Sequence, residues 1–193
     1  MDDGHTAHIP PALAAIEADT IALGFDMPSE QKTGVLLRAL AASYPNSDLL
    51  ELGTGTGLAT AWLLDGMDAG SSLISVDNDK AASGVALRQL GHDGRLRLIV
   101  EDGNEWLANN SNCSFSLIFA DAMPGKYENF DLAWNMLTEG GTYIVDDMSP
   151  QENWPDGHAA KVAKFLAELD ERDDCQLVKM GWSSGIVLAV RSN

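Results

Sequence analysis

From Asp48 onward the chain alternates short apolar runs, rich in Leu, Ile and Val, with longer stretches whose apolar positions recur at helical spacing. The runs DLLELGTG (48–55), LISVDN (73–78), LRLIVED (96–102), FSLIFADA (115–122) and TYIVDD (142–147) read as strands, and LATAWLLDG, KAASGVALRQLG and YENFDLAWNML between them as helices. After the fifth strand, HAAKVAKFLAELDER sets Val162, Phe165, Leu166 and Leu169 on one helical face. The segment CQLVKMGWSSGIVLAV then offers two β-runs around a Gly- and Ser-containing turn, a hairpin pattern. Strands alternating with helices in this way predict an α/β fold: a doubly wound, mostly parallel seven-stranded sheet with a C-terminal antiparallel hairpin. Ahead of the sheet, IPPALAAIEADTIALG and EQKTGVLLRALAASY read as helices, the first opened by Pro10-Pro11 and the second capped by Ser29. No linker divides the pattern, so residues 1–193 are expected to form one domain, with 1–45 as a helical lead-in.

Composition narrows the partners. Asp and Glu number 29 against 12 Lys and Arg, a formal net charge of -17, so phosphate backbones and anionic membrane surfaces are repelled at long range. A small-molecule partner is therefore expected rather than nucleic acid or membrane. The same acidity suits a site that receives a cationic ligand. Cys113 and Cys175 stand far apart with no metal-like spacing and read as free thiols of an intracellular protein. The opening MDDGHTAHIP lacks the apolar stretch of a secretory signal, and no later run approaches the ~18 apolar residues of a membrane span. A cytoplasmic location follows as the expectation; the oligomeric state stays open, a homodimer included.

The most pronounced local feature is Glu51-Leu52-Gly53-Thr54-Gly55-Thr56-Gly57, where the first strand turns into the following helix. Glycines there allow a tight bend and close approach of a ligand to the backbone, at the strand ends where doubly wound sheets bind ligands. Asp77, at the end of the second strand, is placed to take both hydroxyls of a ribose. A dinucleotide fingerprint fails in either register, because Leu58 or Thr60 falls where its third glycine belongs. An acidic residue followed by x-G-x-G-x-G at the end of the first strand resembles the class I S-adenosylmethionine (AdoMet)-dependent methyltransferases. That resemblance implies Glu51 near the cationic methionine end of the cofactor, and Gly53, Thr54, Gly55 and Gly57 beneath it. It further implies Asp77 and Asn78 at the ribose, Asp102 and Gly103 beside the adenine, and Asp121 on the cofactor's flank. AdoMet carries an ammonium and a sulfonium but no phosphate, so carboxylates favour it where they would repel a pyrophosphate. The plainer alternative is a cluster of turn glycines with unrelated surface carboxylates.

Downstream, SLIFADAMPGKYENFDLAWNMLTEGGTYIVDDM is similar to the catechol- and caffeoyl-CoA-type O-methyltransferases, whose pattern runs D-A-x-K-x-x-Y, a helix, P-G-G and a strand ending in D-N. MPSEQKTGVLLRAL resembles the M-S-P-E-Q segment of the same group, so the likeness spans about 27 to 148. It implies a divalent cation, Mg²⁺ or Ca²⁺, held by Asp121, Asp146 and Asp147, whose oxygen donors suit such ions. Two departures matter. Asp147 stands where the group has asparagine, and Pro124 stands where it has a lysine, leaving Lys126 two positions later as the basic candidate. Tyr127 keeps the group's tyrosine. His158, in the first turn of the last helix, is a candidate base, and Trp154 a further candidate on the same edge, so Asp121, Lys126 and His158 form the expected catalytic set. The alternative for the three aspartates is loop capping and lining of the cofactor pocket. Trp62, Trp106, Trp134 and Trp182 fall in helical or hairpin contexts and are expected to pack.

The resulting expectation is an AdoMet-dependent methyltransferase that O-methylates a small hydroxylated molecule with help from a divalent cation. Its alternatives are a metal-independent N- or S-methyltransferase, a non-catalytic AdoMet-binding module and an NAD(P) oxidoreductase, the last disfavoured by the failed fingerprint.

Overall fold

The computed structural model describes residues 8–192; the acidic opening read at 1–7 lies outside them. Seven strands form one sheet: β1 (Asp48–Leu52), β2 (Ser72–Asp77), β3 (Leu96–Val100), β4 (Phe115–Ala120), β5 (Leu137–Val145), β6 (Cys175–Met180) and β7 (Ile186–Arg191). Their order across the sheet is β3-β2-β1-β4-β5-β7-β6. The first five pair in parallel, and β7 inserts antiparallel between β5 and β6. The expected hairpin thus supplies both the reversed strand and the sheet's edge.

Alternation along the strands builds two apolar layers. Leu50, Leu52, Ile118, Ala120, Tyr143 and Val145 face one way, while Leu49, Leu117, Phe119 and Ile144 face the other. The first layer is closed by α5 (Gly103–Asn109), α6 (Phe130–Asn135) and α7 (His158–Asp170), which contribute Trp106, Trp134 and Phe165. The second is closed by α1 (Leu13–Leu23), α2 (Gln31–Ala41), α3 (Leu58–Gly66) and α4 (Lys80–Leu90), with Ile16, Leu37, Trp62 and Val85 at its centre. Trp62, Trp106 and Trp134 are buried as expected, and Trp182 donates its indole N–H to the Lys32 carbonyl at 3.0 Å.

Several boundaries depart from the sequence reading for local reasons. The helix expected over YENFDLAWNML begins only at Phe130. The N–H groups of Lys126, Tyr127 and Glu128 all turn back onto the Met123 carbonyl, and Asn129 takes a left-handed φ of 51°. Strand β5 starts at Leu137, earlier than the apolar run suggests, and meets β4 with a register shift between Phe115 and Leu117. The short polar helix α5 carries no apolar period long enough to announce it; its signal is Asp102, whose carboxylate caps the N–H groups of Asn104 and Glu105. Ser29 does not cap α2: Glu30 holds that position without a side-chain bond, and the Ser29 hydroxyl points instead at Asp121 Oδ2, 3.4 Å away.

Strand order reverses at β1 and β4, the place where a doubly wound sheet opens a crevice beyond its carboxyl ends. Three bonds draw the strand ends together there. Asp121 N–H donates to the Leu52 carbonyl at 2.8 Å, Gly53 N–H to the Val76 carbonyl at 2.9 Å, and Asp146 N–H to the Ala120 carbonyl at 3.3 Å. Among the described residues, no helix is long and apolar enough to cross a membrane.

Candidate active site

A cavity of about 610 Å³ opens over these strand ends, lined by the glycine loop, the 25–30 segment, and the loops that follow β2, β4 and β5. Two features shape its floor at the β1 turn. Gly53 adopts φ +103°, and a Cβ there would lie 2.7 Å from the Asp121 carbonyl oxygen, so only glycine lets β1 and β4 close together. Gly55, at φ +52°, donates its N–H to Asp77 Oδ2 at 2.7 Å, while Asp77 Oδ1 takes the Asp79 N–H at 2.8 Å. Asp79 then caps α4 through the N–H groups of Ala81 and Ala82. Asp77, Asn78 and Asp79 all line the cavity.

Glu51 sits beneath this floor, fully buried, on the strand face turned toward α3. Its Oε2 accepts hydroxyl bonds from Thr60 at 2.6 Å and Ser75 at 2.5 Å, and Ser75 is also paired with Thr54. Its Oε1 is buried and has no hydrogen-bond partner among the described residues. Burial is the main reason its carboxyl is pushed up to about 8, with the charges of Asp121 and Asp77 adding to the rise. An unpartnered acidic oxygen below a carboxylate-rich cavity is a place where a nearby positive charge lowers the free energy.

At the other end of the cavity the loops after β4 and β5 bring the second group together. Lys126, only 4 % exposed, sets its ammonium 3.2 Å from Asp121 Oδ1. Asp146, 2 % exposed, receives the Thr33 hydroxyl on Oδ2 at 3.0 Å. Its Oδ1 takes the Ser184 hydroxyl and, at 2.7 Å, the Asp147 N–H. Burial foremost, then the Asp121 charge, raises the Asp146 carboxyl. Asp147 takes a left-handed φ of 63°, a conformation that Asp and Asn tolerate better than most residues, and both its oxygens accept the Trp154 indole N–H, at 2.8 and 2.9 Å. His158 Nε2 lies 3.6 Å from Asp147 Oδ2 and 3.3 Å from the Tyr127 hydroxyl. The imidazole is walled by Trp154, ring centroids 4.7 Å apart, and by the edge of Tyr127 at 5.3 Å. Desolvation holds it below its usual value, with Asp147 acting the other way.

The expected residues therefore divide. Gly53, Thr54, Gly55, Asp77, Asn78, Asp121, Lys126, Asp146, Asp147, Trp154 and His158 share the cavity wall. Glu51 and Gly57 lie behind it, and Asp102 and Gly103 are not among its lining residues: Asp102 caps α5 through Oδ1, and Gly103 packs against Pro124. The expected dication fares differently. Among the described residues no group of three or more His, Cys, Asp or Glu side chains is disposed to hold a metal ion. Sequence reasoning missed Phe25, Thr33 and Ser184, of which the first covers Gly55 and the others fix Asp146. The likeness at MPSEQ was the one signal that pointed to their neighbourhood.

A family model described as a methyltransferase domain matches residues 50–148, from β1 to the loop after β5. The chain belongs to this methyltransferase family. A Mycolicibacterium smegmatis protein named "Putative O-methyltransferase" is 30 % identical over 93 % of this chain and 89 % of its own length. Among solved structures, the O-methyltransferase TomG from Streptomyces achromogenes in complex with SAM superposes with a TM-score of 0.80 at 21 % identity, covering 96 % of this chain and 92 % of its own. An O-methyltransferase from Bacillus cereus in complex with SAH gives 0.81 at 17 % identity, with 96 % and 93 % covered. At such identities the structural matches establish the fold, and the methyltransferase membership sets the oxidoreductase alternative aside.

Proposed function

We propose that this methyltransferase transfers a methyl group from AdoMet to a hydroxyl oxygen of a small molecule in the cytoplasm. The observation that carries the reading is that one cavity joins the glycine loop and Asp77 at one end to the His158, Tyr127 and Trp154 wall at the other. The residues present fit AdoMet: Gly53, Thr54 and Gly55 bed the ligand, Asp77 and Asn78 meet the ribose, and the orphaned Oε1 of Glu51 with Asp121 favours its positive charges. When bound, AdoMet supplies an activated methyl carbon, whose bond to sulfur breaks with the electron pair left on sulfur as the acceptor oxygen takes the carbon. The chain's own work is alignment and proton removal. His158, kept neutral by burial, takes the acceptor's hydroxyl proton on Nε2, and the Asp147 carboxylate stabilises the imidazolium that results. Trp154 holds Asp147 in place and offers an aromatic face to the acceptor.

The names of the mycobacterial-type relatives and of the solved neighbours support oxygen as the acceptor atom. The net charge of -17 supports a small molecule rather than nucleic acid. Calorimetric titration with AdoMet and its demethylated product, followed by methyl-transfer assays over phenols, catechols, amines and thiols, tests the reading. AdoMet binding with turnover of hydroxyl acceptors is expected. No AdoMet binding, or transfer only to nitrogen or sulfur, overturns it.

A further inference from the structure

The three aspartates that the resemblance marks for a dication already have hydrogen-bond or ionic partners within the chain. Asp146 spends Oδ1 on Ser184 and the Asp147 N–H, and Oδ2 on Thr33. Asp147 shares the single Trp154 indole N–H between its two oxygens, with His158 3.6 Å from Oδ2. Asp121 faces Ser29 with Oδ2 and Lys126 with Oδ1. A positive charge nonetheless stands among them. Lys126 pairs with Asp121 at 3.2 Å, and its ammonium also helps hold down the Asp146 and Asp147 carboxyls and the His158 imidazole. Its burial leaves the four-carbon stem little freedom, so the charge has one place to be, and a buried ammonium is tolerated only where carboxylates compensate it. Pro124 removes a lysine from the position where the O-methyltransferase group has one, and Gly125, at φ +81°, turns the chain so that Lys126 reaches inward instead.

We propose that the Lys126 ammonium is the resident cation of this site, occupying the electrostatic role that a bound dication fills in the group it resembles, so that methyl transfer proceeds without a metal. The proposal rests on the O-methyltransferase reading above and deepens it. An ammonium has three N–H donors, and with one directed at Asp121 the others are free for the acceptor oxygen. There they lower the cost of the negative charge that builds on that oxygen as its proton leaves for His158, while Asp121, Asp146 and Asp147 balance the lysine in the resting site. Lys126 is thereby an electrostatic partner of the acceptor, and the proton acceptor is elsewhere.

The test uses the full-length protein stripped with EDTA and reads metal capture directly, by Mn²⁺ paramagnetic resonance and by thermal melting in Mg²⁺. Wild type is expected to capture no Mn²⁺ at sub-millimolar concentration, to melt at the same temperature with or without Mg²⁺, and to turn over hydroxyl acceptors equally in EDTA. Lys126→Met removes the charge at similar volume; it should leave the carboxylates uncompensated, take up Mn²⁺ and gain roughly 2–4 °C in melting temperature with Mg²⁺. Its turnover without metal should fall about a hundredfold while AdoMet affinity stays within about threefold. Lys126→Arg should exclude Mn²⁺ like wild type. Should Lys126→Met not fold, Lys126→Gln makes the same comparison while keeping a donor for Asp121. Mn²⁺ capture by wild type at micromolar concentration, EDTA-sensitive turnover, or a neutral variant that captures no more Mn²⁺ than wild type overturns the proposal. Loss of AdoMet binding or of all transfer in wild type would instead strike the O-methyltransferase reading, and the metal-capture result would still decide the role of Lys126.

Discussion

The N–H of Gly55 donates a 2.7 Å hydrogen bond to Oδ2 of Asp77, so the residue that ends β2 also sets the bend of the loop that follows β1. The carboxylate that would receive a ribose is thus the one that shapes the bed for the rest of the ligand. Asp77→Ala should cost AdoMet about 1.5–3 kcal/mol of binding free energy, the range for hydrogen bonds to a charged group. Asp77→Asn should lose less, since the amide oxygen still accepts. Calorimetry checks both; the melting temperature of Asp77→Ala should fall modestly, because the Gly55 and Asp79 N–H groups lose their acceptor, while both apolar layers stay intact.

Two glycines of the same loop should fail in different ways. At Gly53 a methyl group meets the Asp121 backbone 2.7 Å away, in a segment pinned between β1 and β4, so Gly53→Ala should destabilise the fold by about 1–3 kcal/mol. At Gly55 the nearest atom is Phe25 Cζ at 3.4 Å, on the cavity side. Gly55→Ala should cost stability only about 1–2 kcal/mol for its left-handed backbone, and bulkier residues there should block AdoMet outright. Thermal melts paired with AdoMet titrations separate the two effects.

Much of this arrangement is legible in the chain itself, and the illegible part has physical causes. The apolar runs in DLLEL and TYIVDD announce β1 and β5, and the glycine loop and Asp77 are local in sequence, each next to a strand end that the pattern locates. The contacts that engage the three aspartates are not local. Thr33 reaches Asp146 from α2 and Ser184 from the hairpin turn, and Trp154 reaches Asp147 from a loop with no periodicity. The likeness to the O-methyltransferase group brought three carboxylates together; only the fold shows their hydrogen-bond partners and a lysine beside Asp121. Asp102 adds a role that the strand-end pattern does not announce, since its Oδ1 caps the helix that follows.

Glu51 makes stability depend on pH. Its folded-state value of about 8 lies above the unfolded 4.5, so the folded protein holds a proton that the unfolded chain gives up between those values. Its contribution is therefore full below pH 4.5 and declines as pH rises toward 8. Glu51→Gln, which stays neutral, should match wild type in melting temperature near pH 4.5 and exceed it at pH 8 in the absence of ligand. A cation seated above Glu51 should lower its pKa, so AdoMet binding at pH 7 should release a proton. Calorimetry in buffers of different ionisation enthalpy would register that release in wild type and its loss in Glu51→Gln.

His158 should set the acid limb of the rate profile. Burial between Trp154 and Tyr127 holds the imidazole below 6.5, so its neutral, proton-accepting form dominates at pH 7 and turnover should fall only as pH drops through a value under 6.5. Asp147, 3.6 Å from Nε2, favours the imidazolium, so Asp147→Asn should move that limb further toward acid while lowering the plateau. Replacing His158 by Gln should cut kcat roughly 10²–10⁴-fold, the usual size of a general-base contribution, and flatten the limb. AdoMet affinity should stay as in wild type, because the imidazole lies at the far end of the cavity from the glycine loop. A His158→Gln enzyme that kept both its rate and its acid limb would place the proton acceptor on another group.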